Sequence, residues 1–106
     1  MSTSWIYLIA AILFEVSGTT CMKLSQGFTK IVPSIFIAVF YVLCFTFLTL
    51  ALKKLEVSVA YSVWAGLGTV LIAIIGILWF RESATLMKLI SITLIVMGVI
   101  GINASQ

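Results

Sequence analysis

Four long apolar runs separated by short polar breaks leave this chain few ways to fold. They cover about Trp5–Met22, Ile31–Leu52, Val57–Phe80 and Leu86–Ile102. Each is close to the roughly 20 residues that an α-helix needs to cross about 30 Å of hydrocarbon. The runs are continuous rather than alternating with period two, which argues against a β-barrel. Four such helices nearly fill 106 residues, leaving no room for a soluble catalytic or receptor domain. With 63% hydrophobic and 8% charged residues, the chain also has too little polar surface to cover a soluble globule or to stay disordered. The expected fold is an all-α integral membrane protein. It forms a single four-helix transmembrane domain over 1–106, with helices at about 5–22, 31–52, 57–80 and 86–102.

The breaks carry the charges. Lys23 to Pro33 holds Lys23, Gly27, Lys30 and the only proline; Lys53-Lys54-Leu55-Glu56 is a tight polar turn; Arg81-Glu82-Ser83 closes the third run. Connections this short make successive helices antiparallel. The first run lacks a basic start and carries a carboxylate, so it reads as a retained helix rather than a signal peptide. Four helices put both termini on one side, with Lys53 and Lys54; Lys23, Lys30, Arg81 and Lys88 lie on the other. That bias is weak under the positive-inside rule and allows an antiparallel pair of identical chains. The net charge of +3 is spread without a basic stripe, which gives nucleic-acid binding no support. Cys21 and Cys44 lie inside apolar runs without metal-type spacing and read as small buried hydrophobes.

Glu56 and Glu82 sit in turns beside Lys or Arg, where a solvated role suffices. Glu15 is different. It stands about ten residues into its helix, near mid-membrane, and Lys23 is eight positions on, about 12 Å along the axis. Carboxylates at this depth usually mark proton relays or cation sites. Hydrocarbon opposes the charged form, so a proton or a cation must accompany the group, and the two compete for it. The plainer alternative is a protonated glutamate hydrogen-bonded across a helix interface. Ala11, Ile12, Gly18, Thr19 and Met22 share the face of Glu15. They leave room for a ligand, or they form a small-residue packing face. Tyr61, Trp64 and Gly68 fall at i, i+3, i+7, and Tyr41, Phe45 and Leu48 at i, i+4, i+7. Such aromatic stripes are often core or lipid-facing, but beside a carboxylate they suit an organic cation. Gly66 and Gly68 permit either a hinge or close packing. Ser91, Leu94 and Gly98 form a narrow ridge suited to helix association.

Taken together, Glu15-Val16-Ser17-Gly18-Thr19-Thr20-Cys21-Met22-Lys23, Gly27-Phe28-Thr29-Lys30 with Pro33-Ser34, Ala60-Tyr61-Ser62-Val63-Trp64-Ala65-Gly66-Leu67-Gly68 and the Leu94/Gly98 pattern resemble the small multidrug resistance family of bacterial transporters. The resemblance covers nearly the whole chain. It implies an antiparallel homodimer of four-helix subunits in the bacterial inner membrane that exchanges protons for hydrophobic cationic drugs. It implies no enzyme activity and no cofactor beyond the proton gradient. It implies Glu15 as the shared proton and substrate site, with Tyr61, Trp64, Tyr41, Phe45, Ala11, Gly18 and Thr19 around the pocket. Gly66 and Gly68 match the third-helix hinge, and Ser91, Leu94 and Gly98 the dimer seam, where Ser91 replaces a common glycine. Guanidinium exporters of the family resemble one another in a bulky tryptophan shortly after the carboxylate. Gly18, Thr19 and Thr20 occupy that stretch here, so the chain looks more like the drug-exporting subtype, with a wider pocket expected at Gly18. A guanidinium exporter and one subunit of a paired polyamine transporter are the alternatives.

Overall fold

The computed structural model describes Thr3–Ser105. It forms four helices, α1 (Thr3–Leu24), α2 (Ile31–Ala51), α3 (Val57–Leu78) and α4 (Leu86–Ala104), all long and apolar enough to cross a membrane. Pro33 falls in the first turn of α2, where its missing N–H breaks no helical bond. The α4 start is capped by the Thr85 hydroxyl, which accepts the Lys88 N–H at 3.1 Å. Hydroxyls within the helices are satisfied locally. Ser17, Thr20, Thr46, Thr49, Thr69 and Thr93 each donate to the carbonyl four residues back, at 2.7–2.8 Å. Apolar helices can therefore hold them without exposing a bare donor to lipid.

The turn between α1 and α2 is held by Ser25, which is buried. Its hydroxyl donates to the Met22 carbonyl and accepts the Phe28 N–H, at 2.9 and 3.1 Å. Gln26, Gly27 and Phe28 all take left-handed backbone conformations in this turn, and the hydroxyl anchors that sharp reversal.

Helix α1 lies at the centre of the packing, along α2 and against α3, while α4 rests on α3. Leu8, Ile12 and Val16 form one stripe of α1 and bury against Ala51 and Ala60. The α1–α2 seam is reinforced by rings: Phe14 stacks on Phe47 and Phe40 at centroid distances of 5.7 and 6.2 Å. Ala11 of α1 is completely buried.

Helix α4 has no buried residue. Its fit to α3 depends on Gly66: a β-carbon there would collide with the Cγ2 of Val99. Ser91, Leu94 and Gly98 are exposed on α4, and beyond the backbone of α4 itself nothing among the described residues lies within 4 Å of where a Gly98 side chain would begin. The described chain measures 43 × 35 × 19 Å. Helices with their side chains are about 10 Å across, so it is a slab roughly two helices thick.

A Gly66→Val substitution should therefore loosen α4 from α3. Val99 is β-branched and cannot swing its Cγ2 away freely, and overpacking of this kind costs about 1–3 kcal/mol. A lowered thermal midpoint in detergent is the expected result, and an unchanged midpoint would show that the contact does not hold α4.

Candidate functional site

Glu15 is half-buried on α1, where α1, α2 and α3 meet. Its nearest partner follows from helical spacing. Thr19, one turn further on, does not bond back to a backbone carbonyl as its neighbours do; it donates to Glu15 Oε1 at 2.7 Å. The Thr19 hydroxyl is also 2.6 Å from the Tyr41 hydroxyl of α2. Thr19 has a single proton and spends it on the carboxylate, so Tyr41 is the donor of that second bond. Tyr41 also reaches Oε1 at 3.5 Å. The result is a directed relay, from Tyr41 to Thr19 to Glu15. Oε1 is thereby fixed, while Oε2 faces Gly68, 3.3 Å from where a β-carbon of that glycine would stand.

Gly18 positions Tyr41. A side chain at Gly18 would begin 2.7 Å from Tyr41 Cε2 and 2.8 Å from Cδ2. The sequence suggested that this glycine leaves the pocket wider. The vacated space instead seats the Tyr41 ring, which has to reach across the α1–α2 seam to bond Thr19.

Beside the carboxylate is an open cavity of about 330 Å³. Glu15 and Thr19 line it from α1, and Trp64, Gly68, Thr69 and Ile72 from α3. Four rings run in an unbroken arc past it: Tyr41 to Phe45 at 5.9 Å, Phe45 to Trp64 at 6.4 Å, and Trp64 to Tyr61 edge-on at 5.3 Å. Tyr61 is 58% exposed and Phe45 51%, so much of the arc faces outward from the chain. The Trp64 indole N–H is buried and has no hydrogen-bond partner among the described residues. The Cys44 thiol of α2 is a neighbour with which it interacts only weakly.

Glu15, Thr19, Tyr41, Phe45, Tyr61 and Trp64 are thus brought together. Gly18 acts from behind Tyr41, and Ala11 lies in the α1 core away from the cavity lining. Helix α3 runs without a break through Gly66 and Gly68, one admitting Val99 and the other the Glu15 carboxylate. Ser91, Leu94 and Gly98 lie on α4, outside the cavity lining. Thr69 and Ile72 were not singled out from the sequence. Their spacing from Ala65, at i+4 and i+7, carried the signal, but that stripe looks like any other lipid-facing face until α1 is packed against it. Among the described residues, no three His, Cys, Asp or Glu side chains cluster to hold a metal.

A family model for the small multidrug resistance protein matches residues 3–95. The chain belongs to the small multidrug resistance family. Among curated relatives it is 54% identical to an uncharacterized membrane protein, YvaE, of Bacillus subtilis, over 94% of this chain and 84% of that one. It is 44% identical to the quaternary ammonium compound-resistance protein QacF of Klebsiella aerogenes, covering 94% and 91% of the two chains. It is 42% identical to QacG, a quaternary ammonium compound-resistance protein of Staphylococcus, over 93% and 92%. Nearly full coverage on both sides means that the shared unit is the four-helix chain itself.

A Gly18→Ala substitution tests the seating of Tyr41. The added methyl should push the ring away and separate the Tyr41 and Thr19 hydroxyls. The expected outcome is destabilisation of about 1–3 kcal/mol with a changed Tyr41 hydroxyl environment by NMR. An unperturbed Tyr41 signal would show that the glycine does not set its position.

Proposed function

We propose that this chain is a proton-coupled antiporter that exports hydrophobic organic cations, quaternary ammonium compounds among them, across the bacterial inner membrane as an antiparallel homodimer. The observation that carries this reading is the environment of Glu15. Its carboxylate has one oxygen held by Thr19 and the other turned toward Gly68 and an open cavity lined by Trp64, the ring from which the aromatic arc extends. None of the cavity's lining residues is basic. The charge that balances this carboxylate must therefore arrive from outside, as a proton or a cation, and the two exclude each other. Relatives named for quaternary ammonium resistance support the cation class.

A bulky cation suits this cavity because its charge can sit beside Glu15 while its apolar body rests on Trp64 and Tyr61. No fork of polar donors fixes one ligand shape, so many hydrophobic cations are accepted. When the cation leaves, protonation of Glu15 neutralises the site, and Thr19 and Tyr41 hold the carboxyl group in place through both states. The reaction makes and breaks no covalent bond other than to the proton, and the proton gradient drives it without a cofactor.

The thinness of the slab supports the homodimer. A chain only 19 Å through its thinnest direction leaves the cavity open on one side, and a second copy would close it and bring a second Glu15. The exposed Ser91, Leu94 and Gly98 ridge of α4 supplies the seam, and Gly66 and Gly68 let α3 bend as the pair alternates between two equivalent end states. The weak charge bias between the two sides permits the opposed insertion. Ala11, behind Glu15, keeps α1 close against α2.

In reconstituted vesicles, Glu15→Gln should reduce proton-driven uptake of a quaternary ammonium compound to background, while Glu15→Asp keeps part of it; full uptake by the glutamine variant would sink the reading. Gly98→Val should leave the subunit folded, since beyond the backbone of α4 itself nothing among the described residues meets the new side chain. It should nevertheless shift the purified protein from dimer toward monomer by light scattering. A dimer of unchanged strength would remove α4 from the seam.

A further inference from the structure

A second carboxylate stands at the mouth of a cleft that leads to Glu15. The cavity beside Glu15 adjoins a smaller one of about 160 Å³, and Thr19 and Ile72 line both. This second cavity continues between α1 and α3 toward the Lys23 end of the chain, with Ile72, Ile75 and Phe80 as its apolar wall and Glu82 and Lys23 at its mouth. Glu82 is exposed, as its place in a turn suggests, yet its carboxylate leans back over α3. Its backbone N–H donates to the Gly76 carbonyl at 3.0 Å, Arg81 before it takes a left-handed conformation, and the side chain folds back over α3. The fold requires glycine at 76, because a β-carbon there would lie 2.9 Å from the Glu82 carboxyl carbon and closer still to Oε1.

Glu82 makes no direct ion pair among the described residues. It sits over the last turn of α3, the partly negative end of that helix. Lys88 Nζ donates instead to the Ser83 carbonyl at 2.7 Å, and Lys23 lines the same cleft without pairing with Glu82. A carboxylate without a direct partner, a helix C-terminus, an aromatic ring and two isoleucines therefore face one narrow cleft. That combination fits a cation with an apolar body, and Lys23 on the facing wall opposes its entry. Gly68 and Gly76 lie eight residues apart on α3, so the two carboxylates are separated by about 12 Å along the helix.

We propose that Glu82 is a second, transient binding site for hydrophobic organic cations, at the entrance of the α1–α3 cleft, and that Glu82 and Lys23 together set the rate at which such cations reach Glu15. This rests on the reading of Glu15 as the transport site. In an antiparallel pair each subunit contributes one such entrance, so one opens at either side of the membrane.

The test is the association rate of tetraphenylphosphonium with the purified full-length protein, followed by stopped-flow tryptophan fluorescence at low and high salt. Glu82→Gln should slow association on the order of threefold to tenfold at low salt, with the difference shrinking as salt screens the charge. The pH at which equilibrium binding is half lost should stay where it is in the parent protein. Lys23→Gln should have the opposite effect and speed association. A variant that merely folded poorly could not produce that acceleration, so the pair separates an electrostatic role from a structural one. Association at the parent rate in both variants would overturn the proposal while leaving the Glu15 reading intact, and so would slowing in both. Failure of the parent protein to bind the cation at all would instead overturn the Glu15 reading.

Discussion

The Glu15 carboxylate has two hydroxyls for company and no cation. Thr19 and Tyr41 can orient it and partly solvate it, but neither can cancel its charge. Much of the surrounding architecture follows from this. Thr19 gives up the backbone bond that its neighbours make, Gly18 clears a seat for Tyr41, and Gly68 withdraws so that Oε2 can look into the cavity. An apolar bundle tolerates such a group only if a proton or a cation is always at hand. On the function proposed here, exchange of one for the other follows from placing the acid in an apolar bundle.

The four helices and the prominence of Glu15 were legible from the chain alone, because spanning runs and a carboxylate inside one are coarse, one-dimensional signals. The aromatic positions 41, 45, 61 and 64 were legible as stripes, and helical spacing correctly grouped them by face. What could not be read was which faces meet. Ala11 shares the face of Glu15 at helical spacing, yet it is completely buried and lines no part of the cavity. Gly18 suits either ligand space or a packing face by sequence, and the ring of Tyr41 against it could not be read before α2 is packed on α1. Thr69 and Ile72 carried no mark of their own. Glu82 is the exposed turn residue that the sequence suggests, and what could not be read is that the positive backbone angle at Arg81 and the glycine at 76 lean its carboxylate back onto α3.

The uneven burial of the helices bears on how the chain is used. Helix α1 holds much of the core and the acid, α2 and α3 supply the rings, and α4 buries nothing within the chain. An apolar helix that contributes so little to its own subunit is suited to lipid or to a second copy. It also leaves the other three free to shift around the cavity. Membrane helices associate through close packing rather than hydrophobic burial, which accounts for the glycines at every tight crossing described here: Gly18 at α2, Gly66 at α4, and Gly68 and Gly76 at the two carboxylates.

The most direct measurement of the central claim is proton release on cation binding. Tetraphenylphosphonium is added to the purified protein in weakly buffered detergent solution across a range of pH, beside the Glu15→Gln variant. Competition for one carboxylate predicts that binding weakens as pH falls, that each binding event frees protons, and that the variant neither binds nor releases. Binding that is indifferent to pH and frees no proton, or that persists unchanged without the Glu15 carboxylate, would contradict it.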